Sequence, residues 1–349
     1  MSASARAFRI AHRRKPGTLD PMRLLRSSLA SMGALGLVVL LGGSIAACDD
    51  GLVTPARSSS SSGGSSSGSA SGKSGKLRVA NFNTRNLFND KDDSDTLVAE
   101  TIATTADYQK HLKDVASALE QLDADVVVLV EVENEAVLQD LIDHAEIEGK
   151  YSHVALLPGN DPRGINIGVV SKLPIDSSKS HRDDQIRGDA QGRTYRYARD
   201  VPEYHLTKEG TPFTLLGVHF KAKVVTGTDA EIAEDNDKRL AEARGARAIA
   251  DSLLADEANG EVILLGDFND DTESPSTQAV KGTDPEFGHA AGDRPETERW
   301  TVQYAGSKMT YDDQWSSPGL SSRRQADSVT ILRVAVSDHA AVAATYTLE

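Results

Sequence analysis

Cysteine is almost absent from this chain: of 349 residues, only Cys48 is one. That excludes an internal disulfide framework, and it excludes a structural or catalytic thiol anywhere after residue 48. Long hydrophobic runs are missing too. The most apolar stretch, Leu35 to Leu41, is too short for a comfortable transmembrane helix. Positive charge is scarce, with 38 Lys and Arg against 52 Asp and Glu. Residues 1–47 hold seven Lys or Arg and one Asp, so the remainder carries 31 basic and 51 acidic residues, a formal net charge of −20. Such a chain does not adhere to anionic lipid or nucleic acid through its overall field. An anionic substrate must be held by a local basic patch or by a metal ion. There is no internal sequence repeat, and no close cluster of His and Cys of the kind zinc requires.

What is present begins with a leader. Arg6, Arg9, Arg13, Arg14, Lys15, Arg23 and Arg26 precede the apolar stretch, and small residues follow it up to Cys48. This is the order of an export signal, and Met22 would begin a signal of more ordinary length. Ile45-Ala46-Ala47-Cys48 resembles the lipobox of bacterial lipoproteins, in which the Cys is acylated and becomes the first mature residue. The expectation is therefore a signal peptide over 1–47 and lipidation at Cys48. The chain would be exported and lipid-anchored to a bacterial membrane, on its periplasmic or cell-surface side. Residues 48–75 read as a Ser/Gly-rich tether, in which the run Ser58 to Gly75 has a typical end-to-end distance of roughly 25 Å. One domain remains, over 76–349.

Within that domain, Leu77 to Asn83 alternates like a strand. Tyr108, Leu112, Val115, Leu119 and Leu122 recur with the period of an amphipathic helix, and Leu138, Leu141, Ile142 and Ala145 mark another. Asp125 to Glu131 is a buried-type strand. Further strands are expected at Val154–Leu157, Ile167–Ser171, Asp200–Leu206, Phe213–Phe220, Thr310–Ser316, Asp327–Val336 and Ala341–Leu348, with a charged helix over about 233–255. Strands with interspersed helices argue an α/β sandwich.

Val262-Ile263-Leu264-Leu265-Gly266-Asp267-Phe268-Asn269-Asp270 is an apolar strand that ends in metal-competent side chains. Asp267 and Asn269 lie two apart and share a side, while Phe268 turns back to the core. Asp, Asn and Gly also form turns, so this stretch alone reads equally as a turn. Glu131 closes an apolar run in the same way, and Ser337-Asp338-His339 sets a carboxylate beside an imidazole between two strands. Each alone fits a solvated strand end or surface loop. Together Asn83, Glu131, His219, Asp267, Asn269, Asp338 and His339 supply oxygen ligands for a hard divalent cation and imidazoles for proton transfer. Mg²⁺ is the cation that such a sparse oxygen set suits, with Mn²⁺ or Ca²⁺ as alternatives.

Five motifs in order then resemble the endonuclease/exonuclease/phosphatase superfamily: Asn81-Phe82-Asn83, Leu129 to Val132, Gly217 to Lys221, Leu265 to Asn269 and Val336 to His339. The resemblance implies a four-layered α/β/β/α sandwich of two packed mixed sheets flanked by helices, with the site at one end. It places Asn83 and Glu131 at the metal, with Asp338 as a further ligand, and makes His339 the acceptor of a proton from the attacking water. An Asp before the Ser317-Pro318-Gly319-Leu320 turn would orient that His; Asp312 is favoured, with Asp313 as the adjacent alternative. Asp267 and Asn269 would position water or bind phosphate, and His219 would donate a hydrogen bond or proton at the leaving-group side. Arg199 resembles a phosphate-contacting Arg of the family, or is an ordinary strand-edge charge. Lys221 and Lys223 would contact substrate phosphates or form a solvated edge, and Asn166 is a candidate support for His219.

The substrate expected first is nucleic acid, DNA or RNA, cleaved by a monomeric, surface-anchored nuclease with no protein partner implied. A sphingomyelinase-like or other small-molecule phosphodiesterase is the alternative, with Trp300, Tyr304, Tyr311 and Trp315 as an aromatic wall or as core packing. An inactive binding module is disfavoured, because every expected carboxylate and both His residues are present.

Overall fold

The computed structural model describes residues 75–92, 102–189, 192–223, 226–304 and 306–348; the leader, Cys48 and the tether up to residue 74 lie outside them. In chain order the elements are β1 (Lys76–Leu87), α1 (Thr105–Leu122), β2 (Val126–Val132), α2 (Glu135–Ile142), β3 (His153–Leu157), β4 (Asn166–Ser171), β5 (Ile175–Lys179), β6 (Ile186–Arg187), β7 (Thr194–Tyr195), β8 (Glu203–Lys208), β9 (Thr211–His219), α3 (Asp229–Leu254), β10 (Glu261–Asp267), α4 (Pro275–Lys281), β11 (Gly288–His289), α5 (Glu296–Arg299), β12 (Val302–Tyr304), β13 (Ser307–Met309), β14 (Asp312–Ser316), α6 (Pro318–Ser322), β15 (Thr330–Leu332) and β16 (Ala341–Thr347). Among the described residues no helix is long and apolar enough to cross a membrane.

Two six-stranded sheets dominate, ordered β15-β16-β1-β2-β4-β3 and β11-β14-β10-β9-β8-β5. Each is antiparallel except for one central parallel pair, β1 with β2 and β9 with β10. A parallel pair needs a long crossover, supplied by α1 in the first sheet and α3 in the second. The two halves thus repeat one topology although their sequences do not.

Strand alternation divides the apolar side chains into three cores. Leu77, Val79, Val126 and Val128 meet Phe213, Leu215, Ile263 and Leu265 between the sheets. Ala80, Phe82, Val127 and Leu129 turn outward to α1 and α2, against Leu112, Val115, Leu119 and Leu138. Leu216, Val218, Val262 and Leu264 turn the other way, to Ala243, Ala246 and Ala250 of α3. The layers are α/β/β/α, as the sequence motifs imply.

Most predicted elements are found, with instructive differences. The strand expected at Asp200 starts at Glu203, because Asp200 accepts from the amides of His181 and Val201 and so organises a loop. The helix α3 starts earlier than expected, because Thr228 and Glu231 form a capping box before it. The strand expected over Asp327–Val336 shrinks to β15 behind a left-handed Asp327, φ 58°.

Candidate active site

The C-terminal ends of the four central parallel strands open at one end of the sandwich, and each delivers a polar side chain there. Asn83 ends the alternating inter-sheet row of β1, and His219 and Asp267 end those of β9 and β10. Register places Asp267 directly beside His219. Glu131 breaks the pattern. Alternation alone would send it to the helical face, but its backbone is left-handed, φ 66°, and the β1–β2 and β2–β4 ladders both slip there. An αL residue at a bulge re-aims its side chain, and here the carboxylate turns to the strand ends. Its Oε2 accepts from the Asn86 amide at 2.9 Å, and its Oε1 lies 3.9 Å from His219 Nε2.

Asp267 is the hub. Its Oδ1 accepts from the Asn269 amide at 2.8 Å. Its Oδ2 accepts from Asn83 Nδ2 at 3.1 Å and lies 3.6 Å from His219 Nε2 and 3.9 Å from His339 Nδ1. Burial, with Asp312 and Glu131 nearby, pushes this carboxyl up, against the pull of His339. Asn269, itself left-handed at φ 52°, donates through Nδ2 to Phe220 O at 3.0 Å.

His339 Nδ1 and Asp312 Oδ2 are 2.8 Å apart. Asp312 rather than Asp313 faces His339, since successive residues of β14 point to opposite sides of the sheet. Asp313 meets His289 on the helical side instead. Burial opposes charge on His339, but Asp312 and Asp267 outweigh it and raise its pKa. For His219, burial, followed by Arg199, His339 and Arg163, holds the pKa well below the usual value. A neutral imidazole donates a hydrogen bond rather than a proton, which narrows the role expected of His219.

Some sequence expectations are displaced. Asp338 lies exposed at the rim, 3.6 Å from Arg85, rather than among the buried carboxylates. Asn166 does not support His219; it accepts from Gly159 N and donates to Glu133 O and Gly164 O. Lys221 Nζ pairs with Asp235 at 3.1 Å, and Lys223 pairs with Asp270. Arg199 is buried, with Nε on Asp161 at 2.8 Å and Nη1 on Phe220 O at 3.0 Å. Of the aromatic residues, Trp315 is core, Trp300 lies beneath Arg333 and Lys308, and Tyr304 is exposed on the β12–β13 hairpin.

Three residues were missed. Thr301 Oγ1 accepts from both Tyr311 N and Asp312 N at 3.0 Å and so fixes the aspartate. Asp161 joins Arg163 to Arg199. Glu242, buried on α3, accepts from Ala198 N at 2.7 Å and Lys221 N at 2.5 Å. A signal for Glu242 did exist: Arg239, Glu242 and Arg247 fall on the same stripe as the buried alanines of α3.

The set of buried carboxylates fits a divalent cation. Asp267, Asp312 and His339 present ligand atoms within 4.8 Å of one another, Glu131 adds a third carboxylate near His219, and Asp312 Oδ1 is buried with no hydrogen-bond partner. The carboxylates Asp312 and Asp267 are what hold the His339 ring charged, and a bound cation would offset them and leave the ring able to accept a proton.

The sequence profile described as the Endonuclease/Exonuclease/phosphatase family matches residues 78–316, which run from within β1 to the end of β14 and hold most of these side chains. The chain belongs to that family. It is a phosphoric-ester hydrolase by that membership. No curated protein matches it in sequence. Among solved structures, the fold resembles an endonuclease/exonuclease/phosphatase family protein from Bacteroides thetaiotaomicron, with TM-score 0.53 and 14% identity, over 79% of this chain and 99% of that one. It also resembles truncated TDP2 from Caenorhabditis elegans, with TM-score 0.51 and 18% identity, over 78% and 97%. Sphingomyelinase C from Streptomyces griseocarneus is similar at TM-score 0.51 and 19% identity, over 79% and 100%. At these identities the likeness speaks to the fold alone.

Proposed function

We propose that this member of the endonuclease/exonuclease/phosphatase family is a metal-dependent phosphodiester hydrolase acting on nucleic acid, exported and held at a bacterial membrane through lipidated Cys48. The observation that carries the chemistry is the meeting of Asn83, Glu131, His219 and Asp267 with the Asp312–His339 pair at the ends of two sheets. His339, held in orientation by Asp312, takes a proton from the attacking water. Asp267 and Asn269 position that water and the phosphate, and His219 donates a hydrogen bond at the leaving-group side. Glu131 and Asn83 would hold the metal, with Mg²⁺ proposed on the strength of an all-oxygen set with few carboxylates. The ion supplies charge stabilisation to the phosphoryl oxygens. Arg199 and Lys221 are proposed to bind phosphate.

The test is turnover of plasmid DNA, RNA, sphingomyelin and bis-p-nitrophenyl phosphate by the purified protein with Mg²⁺, Mn²⁺, Ca²⁺ or EDTA. His339→Ala and Asp267→Ala are expected to lose at least about 10²-fold in metal-dependent turnover while remaining folded by circular dichroism. Either folded variant keeping near wild-type turnover would remove the assignment. Cleavage of no substrate with any metal would favour the inactive binding module.

A further inference from the structure

Beside the catalytic strand ends lies a cleft of about 670 Å³ whose lining includes Arg163, Arg196, Arg199, Lys221, Lys238 and a single carboxylate, Asp161. Five cations around one cleft stand out in a chain of formal net charge −14. Part of that charge is balanced: Asp161 meets Arg163 and Arg199, while Arg196 and Lys221 also pair with Asp183 and Asp235. The lining still carries a surplus, and it is rigidly built. The buried Glu242 carboxylate accepts from Ala198 N and Lys221 N, bracing the two segments that carry Arg199 and Lys221. Arg199 Nη1 and Asn269 Nδ2 donate to the same carbonyl, Phe220 O, each at 3.0 Å. The cleft wall and the catalytic loop are therefore joined through the residue that follows His219.

We infer that this cleft is a second anion subsite, which receives a further phosphate of a polyanionic strand on the His219 side of the scissile phosphodiester. The inference rests on the phosphodiesterase reading of the site and adds to it the place where a neighbouring phosphate of the strand is held. A fixed cluster of cations holds phosphate and repels a quaternary ammonium, which favours the faces of aromatic rings. The one aromatic residue of the lining, Tyr197, is buried. A choline-bearing lipid headgroup would thus meet the wrong charge beside its own phosphate.

Arg196 is exposed and Lys238 half-buried, so both can be changed without opening a core. The experiment measures binding of a fluorescein-labelled thymidine octanucleotide to the full chain by anisotropy at low salt without added metal. Hydrolysis of bis-p-nitrophenyl phosphate with Mg²⁺ or Mn²⁺ is followed in parallel. The double variant Arg196→Ala/Lys238→Ala is expected to weaken octanucleotide binding at least tenfold, the charge-retaining Arg196→Lys/Lys238→Arg is expected to restore it, and wild-type binding should weaken steeply with salt. Unchanged binding in the alanine double variant, at an unchanged melting temperature, would overturn the subsite. So would equal weakening in the charge-retaining pair. Failure of the wild type to hydrolyse bis-p-nitrophenyl phosphate with either metal would instead strike the phosphodiesterase reading, and the binding result would still decide whether the cleft holds a polyanion.

Discussion

Two adjacent aspartates on β14 have separate fates because a strand sends successive side chains to opposite faces. Asp312 faces the inter-sheet side and His339, while Asp313 faces His289, which stacks on Trp315 with ring centroids 4.8 Å apart. Asp312→Asn is expected to reduce turnover of bis-p-nitrophenyl phosphate by at least about 10²-fold, and Asp313→Asn to lower the melting temperature while sparing turnover. Equal turnover losses would reverse the assignment. A different charged cluster bears on stability alone. His181 Nδ1 meets Asp184 at 2.6 Å and its Nε2 meets Glu203, both His181 and Glu203 being buried. Burial works against the His181 charge, but Glu203 and Asp184 raise its pKa. Burial likewise works against the Glu203 charge, but His181, His205 and Lys179 hold its pKa low. The Glu203 contribution is present above its unfolded value of about 4.3 and fades as pH falls through its lower folded value. The His181 contribution is complete below its unfolded value of about 6.5 and is lost as pH rises through its higher folded value. The pair is therefore worth most between those two unfolded values. His181→Gln should cost roughly 3 kcal/mol at pH 5.5 and distinctly less at pH 9, measured by urea unfolding; an equal cost at both would contradict this account.

At the scale of the element, the site depends on how strands end. Gly266 sits at φ 137°, and a Cβ there would lie 2.1 Å from Val218 O in the neighbouring parallel strand. Gly266→Ala is therefore expected to cost about 3 kcal/mol or more, read as the urea midpoint; a shift corresponding to under about 0.5 kcal/mol would show that the strands can part to accept it. The sequence made β10 and its polar end plain, because the apolar run Val262 to Gly266 followed by Asp-Phe-Asn forms a local pattern. It also showed the helical stripe of α1, whose Tyr108, Leu112, Val115, Leu119 and Leu122 are all buried. It did not show that Glu131 reaches the site by a left-handed backbone rather than by alternation, since a single φ leaves no periodic trace. Nor did it show what Asp161 and Glu242 brace: the α3 stripe marks Glu242 as buried, but the partners of both carboxylates are set by tertiary contact. Asp338 looked equivalent to its neighbour His339 in sequence, and only the packing separates an exposed rim residue from a half-buried one.

For the molecule as a whole, the two sheets contribute to one site, so an ion bound there links both halves. Mg²⁺ at a hundred times its dissociation constant should add about 2.7 kcal/mol to stability, seen as a higher melting temperature that EDTA reverses. Glu131→Ala should abolish the rise; a rise that survives would place the ion elsewhere. The pairing of β1 with β16 has another consequence. Lys76 lies opposite Thr347, and Leu348 N donates to Gly75 O at 2.8 Å, so both ends of the folded body come together at the start of β1. Asn83 lies seven residues further along that strand, about 23 Å away at the usual rise. Whatever is joined to the body at residue 75 is therefore attached at the end of the sheets away from the catalytic strand ends.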